Sequence, residues 1–182
     1  MLWTLFLSVC FASIQTGPIQ GWDLRSQKNV DVAGATAARA VVFLSAKCPC
    51  SNSHVEHLNE LQKNYPQIQF IGIHSNSDES KDDSVTYFTN RGINFPVLHD
   101  VGGKWADDLK ALKTPHAYLL SPDGKVLFHG GVTSSNDANR AKEFFLKDAL
   151  QALSENKEIE KKEARALGCA ITRDGDNKDV WK

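Results

Sequence analysis

Apolar residues in this chain fall either into short unbroken runs or into recurrences every three or four positions, with turn residues between them, so strands and helices alternate along it. The run from Ala40 to Leu44 is β-branched, short, and stopped by Ser45-Ala46-Lys47, which predicts a fully buried strand. A helix follows a few residues later. Val55, Leu58, Leu61 and Tyr65 form its apolar face, Ser53 and Glu56 have the spacing of a capping box at its start, and Tyr65-Pro66 ends it. Ile68 to Ile73 then predicts a second buried strand, and a right-handed crossover makes the two strands parallel neighbours.

The remaining pattern is weaker but continuous. Trp22-Asp23-Leu24 predicts a short edge strand, and the Ala-rich stretch after it a connection. Ser77 to Asn90 predicts a surface helix ending at Arg91-Gly92, with Val85, Tyr87 and Phe88 as its apolar points. A short strand is expected over Phe95 to Leu98, and a helix over Lys104 to Leu112 from the spacing of Trp105, Leu109 and Leu112. Pro115 heads an apolar run that begins at His116, where a residue without an N–H can only start a strand or mark a special turn. Ser121-Pro122-Asp123-Gly124 is a turn, and Lys125 to His129 returns as the second arm of a hairpin. A last helix is expected from Asp137 to Ser154, with Ala141, Phe145, Leu146, Ala149, Leu150 and Leu153 on its buried stripe.

A chain of 182 residues is about one domain. Its 21 basic and 22 acidic residues leave a formal net charge of −1, which offers no electrostatic reason to expect nucleic acid or an anionic membrane as partner. Met1 to Ala12 is uncharged and apolar, too short for a bilayer span of about 20 residues, and ends in small residues. It reads as a secretory signal, although it lacks a basic n-region. The expected division is a leader over 1–20, a folded domain over 21–155 and a charged tail over 156–182, which carries Cys169. Cleavage removes Cys10 and leaves Cys48, Cys50 and Cys169 in an exported protein, periplasmic or extracellular, with no membrane span.

The chemistry concentrates between the first buried strand and its helix, at Cys48-Pro49-Cys50. Free N–H groups of a first helical turn and the positive end of the macrodipole favour a thiolate over a thiol, and Lys47 adds charge of the same sign. Most free cysteines are small inert core residues, but a pair at a strand-to-helix junction points to redox or metal chemistry.

The element order, with FLSAKC before the helix, Gly72-Ile73-His74-Ser75-Asn76 at a strand end, KTPHAYLLSPDGKV and the terminal LGCAI, resembles the thioredoxin-like redoxin family. That family includes the alkyl hydroperoxide reductase and thiol-specific antioxidant relatives and the periplasmic thiol-disulfide oxidoreductases. The resemblance implies an α/β fold with a central mixed sheet flanked by helices. It places the first active-site cysteine on Cys48, the cis-proline on Pro115, and a wall of Thr114, Pro115 and His116 beside the sulfur. Two departures stand out: the second position of a Cys-x-x-Cys motif is Ser51, and Val41 replaces the proline of a peroxiredoxin pattern in which Ser45 and Cys48 fit.

The function these residues imply is thiol-disulfide oxidoreduction, with Cys48 as the reactive thiolate and either Cys50 or Cys169 as the resolving thiol. A Cys-x-Cys ring must meet a Cα separation of about 5.5 Å across Pro49, whereas Cys169 must close a long loop. The implied partners are a protein or small-molecule disulfide or peroxide and a thiol electron donor; no cofactor is implied. Thiol peroxidase activity is one alternative. Another is a Sco-like Cu(I) module using Cys48, Cys50 and His54, with His54 and His57 otherwise read as outer-face polar residues of the helix.

Overall fold

The computed structural model describes residues 19–32 and 37–175; of the leader expected over 1–20, residues 1–18, including Cys10, lie outside them, and residues 19 and 20 belong to the first strand. Strand β1 (Ile19–Asp23) turns back into β2 (Lys28–Val32) as an antiparallel pair. The chain continues through β3 (Arg39–Phe43), α1 (Pro49–Asn64), β4 (Gln69–His74), α2 (Lys81–Asn90), β5 (Val97–His99) and α3 (Lys104–Asp108). It then runs through β6 (Lys113–Thr114), β7 (His116–Leu120), β8 (Val126–Gly130), α4 (Phe145–Ser154) and β9 (Cys169–Ala170).

Seven strands form one mixed sheet in the order β2-β1-β5-β4-β3-β7-β8. β3 is parallel to β4 and antiparallel to β7, so the strand leading into the Cys48 junction is hydrogen-bonded on both sides. The period-2 geometry of a strand sends Ala40 and Val42 to one face and Val41 and Phe43 to the other, and each face has its own core. The first core takes Val55, Leu58 and Leu61 from α1, Phe88 from α2, and Leu146, Ala149 and Leu150 from α4. The second joins Ile71, Ile73, Leu98 and Tyr118 to Ala106, Leu109 and Ala111 around α3. Burying each aliphatic side chain of this kind contributes about 1.5–3 kcal/mol.

Four expectations from the sequence are corrected. The strand around Trp22 is not an edge, because β2, which the sequence did not reveal, covers it. Helix α1 does not start at Ser53: Pro49 takes its first position, where a preset φ and a missing N–H cost nothing, and Cys48 becomes the N-cap. Helix α3 stops at Asp108 and leaves Leu112 68% exposed. The long last helix is broken, with a 3-10 turn at Ala138–Arg140 and α4 beginning only at Phe145.

The charged segment after α4 is not a solvated tether. It lies along the outer edge of β8, where the His129 N–H donates to the Lys162 carbonyl (3.0 Å) and the Ala164 N–H donates to the His129 carbonyl (3.1 Å). Ile159 is buried in the first core. The backbones approach so closely that a Cβ on Gly130 would sit 2.4 Å from the Ala164 carbonyl oxygen, and Gly130 has φ +152°. The segment then crosses to β6 as strand β9, and Arg173 fastens it to Asp107 (2.8 Å) and to the Ala111 carbonyl (3.0 Å).

Candidate active site

The loop from Ser45 to Lys47 ends β3 and would leave several N–H groups without partners. A buried carboxylate supplies the acceptors: Glu79 takes the Ser45 hydroxyl, the Ala46 N–H (2.8 Å) and the Lys47 N–H (3.3 Å). Ser45 Oγ in turn accepts the Cys48 N–H at 3.0 Å, and the Ser45 N–H donates to Ser51 Oγ at 3.2 Å. The turn that presents Cys48 is therefore set from below by Glu79. In the sequence this residue falls in the first part of the surface helix expected over Ser77 to Asn90. Its neighbours Asp82 and Asp83 do lie in the first turn of α2, but Glu79 faces inward.

Cys48 is 2% exposed, and its Sγ donates to the Thr114 carbonyl at 3.1 Å. Thr114 is joined to Pro115 by a cis peptide bond and pairs with Cys169 across the β6–β9 ladder. The Sγ atoms of Cys48, Cys50 and Cys169 all lie within 4.8 Å of one another, and all three cysteines are free thiols. The structure thus brings together both of the second thiols that the sequence left open. Cys169 reaches the site because Gly168, at φ +151°, passes so close to Thr114 that a Cβ there would stand 2.0 Å from the Thr114 carbonyl oxygen.

Burial works against ionisation of Cys48, yet its pKa is lowered to about 7. The groups that overcome burial are the Cys169 thiol, the Thr114 side chain and the backbone N–H groups of Ser51 and Cys169, all neutral donors to the thiolate. Burial, followed by the neighbouring Cys48 charge, raises Cys50. The same two causes, with the Cys169 thiol also held as donor to Cys48, push Cys169 up to about 12. Arg91 reaches α1 nearby, but Nη2 donates to the Asn52 carbonyl at 2.8 Å.

The histidines differ from their expected places. His116 pairs with Phe43 and points with Tyr118 to the second core, their ring centroids 4.6 Å apart, so it faces away from the α1 side of the sheet where Cys48 sits. Burial, then His129, lowers its pKa to about 4. His54 is fully buried rather than on the outer face. A carbonyl can only accept, so Nδ1 donates to the Cys50 carbonyl (2.8 Å), and Nε2 lies 2.9 Å from Thr133 Oγ1. Both its ring nitrogens are engaged, and the potential metal donors that cluster are Cys48, Cys50 and Cys169. His57 is half-buried, beside Glu60 at 4.0 Å and the Phe144 ring.

The AhpC/TSA family model matches residues 20–129. No curated protein matches in sequence. Among solved structures, the chain is similar to an uncharacterized conserved protein from Geobacillus kaustophilus, with a TM-score of 0.76 and 23% identity, over 88% of this chain and 90% of that one. It is also similar to a secreted Mycobacterium tuberculosis disulfide oxidoreductase homologous to E. coli DsbE, with a TM-score of 0.57 and 18% identity, over 76% and 96%. A third similar structure is the peroxidoxin BcpB from Mycobacterium tuberculosis, with a TM-score of 0.59 and 16% identity, over 79% and 96%. At these identities the likenesses establish the thioredoxin-like fold.

Proposed function

The chain belongs to the AhpC/TSA family of oxidoreductases, and on that premise we propose that it is a thiol-disulfide oxidoreductase with Cys48 as nucleophile and Cys169 as resolving thiol. The observation that carries this reading is the β6–β9 ladder, which holds Cys169 against Cys48 from another part of the chain. The Cys50 sulfur lies within the same 4.8 Å, but a Cys48–Cys50 disulfide would close a very small ring across Pro49, which Cys169 avoids. The Cys48 thiolate attacks one sulfur of a substrate disulfide, forms a mixed disulfide and expels the other substrate sulfur as thiolate. Cys169 then gives up its proton and attacks the Cys48 sulfur, which closes a Cys48–Cys169 disulfide and releases the second substrate thiolate. A donor dithiol reduces that bond, takes the two-electron oxidation itself, and returns both cysteines to thiols. Thr114 and Pro115 form the wall against which the substrate chain lies.

Disulfides are favoured over peroxides as substrates because the groups supporting Cys48 are neutral donors. Export is part of the reading, supported by the apolar segment Met1 to Ala12 and by the secreted disulfide oxidoreductase among the similar structures. The test is turnover of a protein disulfide with a dithiol donor. Cys48→Ser abolishes turnover, whereas Cys169→Ser leaves a trapped Cys48–substrate disulfide, visible by mass. Accumulation of the trapped species in Cys50→Ser instead would assign resolution to Cys50.

A further inference from the structure

Redox chemistry uses the three sulfurs two at a time, yet they converge on one point. Their Sγ atoms lie within 4.8 Å of one another, with Cys48 buried and Cys50 and Cys169 partly so. With metal–sulfur bonds of about 2.3 Å, three thiolates around one ion stand about 4 Å apart, so small side-chain rotations would seat an ion between them. We propose that the fully reduced protein binds one Cu(I) ion through the Sγ atoms of Cys48, Cys50 and Cys169.

The donor set selects the ion. Thiolates are soft ligands and favour Cu(I), zinc or iron–sulfur clusters. Structural zinc takes four ligands, and among the described residues no fourth cysteine, histidine or carboxylate joins this group. His54, the nearest sequence candidate, has Nδ1 on the Cys50 carbonyl and Nε2 beside the Thr133 hydroxyl, and freeing it would leave a buried carbonyl unpaired. Three sulfurs suit a three-coordinate monovalent ion.

The site also tolerates the resulting charge. Three thiolates around Cu(I) carry a net charge of −2, set at the N-terminus of the sixteen-residue helix α1, where free N–H groups and the helix dipole favour negative charge. The ion drives the loss of protons from the thiols it binds, so binding releases protons. Because a Cys48–Cys169 disulfide removes two of the three donors, oxidation expels the ion and bound Cu(I) blocks turnover. The metal site rests on the sulfur cluster and not on disulfide turnover, although the two share Cys48 and Cys169.

The experiment is anaerobic titration of the reduced full chain with Cu(I) against the chelator bicinchoninate, followed by ultraviolet thiolate-to-metal absorption. One Cu(I) per chain is expected to be retained, with each of Cys48→Ser, Cys50→Ser and Cys169→Ser weakening binding by about tenfold or more, and His54→Gln leaving it unchanged. Circular dichroism confirms that each variant is folded. A reduced wild type that yields its Cu(I) as readily as the serine variants would overturn the site, as would an oxidised protein that binds equally well. Full disulfide turnover without Cu(I) retention removes the metal site alone, and Cu(I) retention without turnover removes only the redox reading.

Discussion

Thr114 and Cys169 are register partners across the β6–β9 ladder, and the Thr114 carbonyl also receives the Cys48 thiol at 3.1 Å. One backbone position therefore aligns a thiol at a helix N-terminus with another brought from the far end of the chain. Sulfur-to-sulfur proximity is thus a property of this ladder, and the predictions below perturb its parts.

Alkylation of the reduced protein should show Cys48 reacting with a midpoint near pH 7, while Cys50 and Cys169 react only at more alkaline pH. Cys169→Ala removes a thiol donor to Cys48 and should move the midpoint toward the ordinary value of 9.0. Site-resolved mass spectrometry across a pH series measures both, and an unchanged midpoint would show that Cys169 does not support the thiolate.

Gly168→Ala places a methyl carbon where only 2.0 Å separates it from the Thr114 carbonyl oxygen, with backbone on both sides of the contact. Strand β9 must then lift from β6. The yield of Cys48–Cys169 disulfide under mild oxidant should fall several-fold, and the thermal midpoint should fall too, because Ile171, directly after β9, is buried in the second core. An unaltered yield would mean that the ladder does not position Cys169.

Replacing Glu79 by Ala strips the acceptor from the Ser45 hydroxyl and from two N–H groups of the loop before Cys48. Leaving such buried donors unpaired costs about 1–3 kcal/mol, which a urea denaturation series would show as a lower midpoint with an unchanged slope. A variant as stable as the parent would mean that water replaces the carboxylate.

Acid should destabilise the fold before the carboxylates titrate. Burial, then His129, lowers His116 from 6.5 to about 4, so between these values the unfolded chain holds a proton that the folded chain refuses. The stability from the neutral imidazole is complete above 6.5 and is lost as pH falls toward 4. At about 1.4 kcal/mol per pKa unit the loss is about 3 kcal/mol for this residue. Burial lowers His54 and His74 as well, with the same sign. Urea midpoints at neutral and mildly acid pH give the slope, and His116→Gln should flatten it.

Local pattern carried much of this protein. The all-apolar run of β3 and the Val55, Leu58 and Leu61 stripe of α1 are one-dimensional signals, because a buried strand and an amphipathic helix impose their own periods on the residues that form them. The same locality placed Cys48 at a strand-to-helix junction, although the first donors that lower its pKa, Cys169 and Thr114, come from distant segments. It failed where a partner is distant in the chain. Glu79 and His54 look like surface residues of polar stretches, and only the packing of α2 and of the Thr133 turn against α1 turns them inward. The segment after α4 has no hydrophobic period, since it is held by backbone hydrogen bonds to His129 and by the close approaches at Gly130 and Gly168. Backbone pairing depends little on side-chain type, so the sequence by itself determined that Cys48 would stand at a strand-to-helix junction, and only the tertiary structure decided which other sulfurs and donors would meet it.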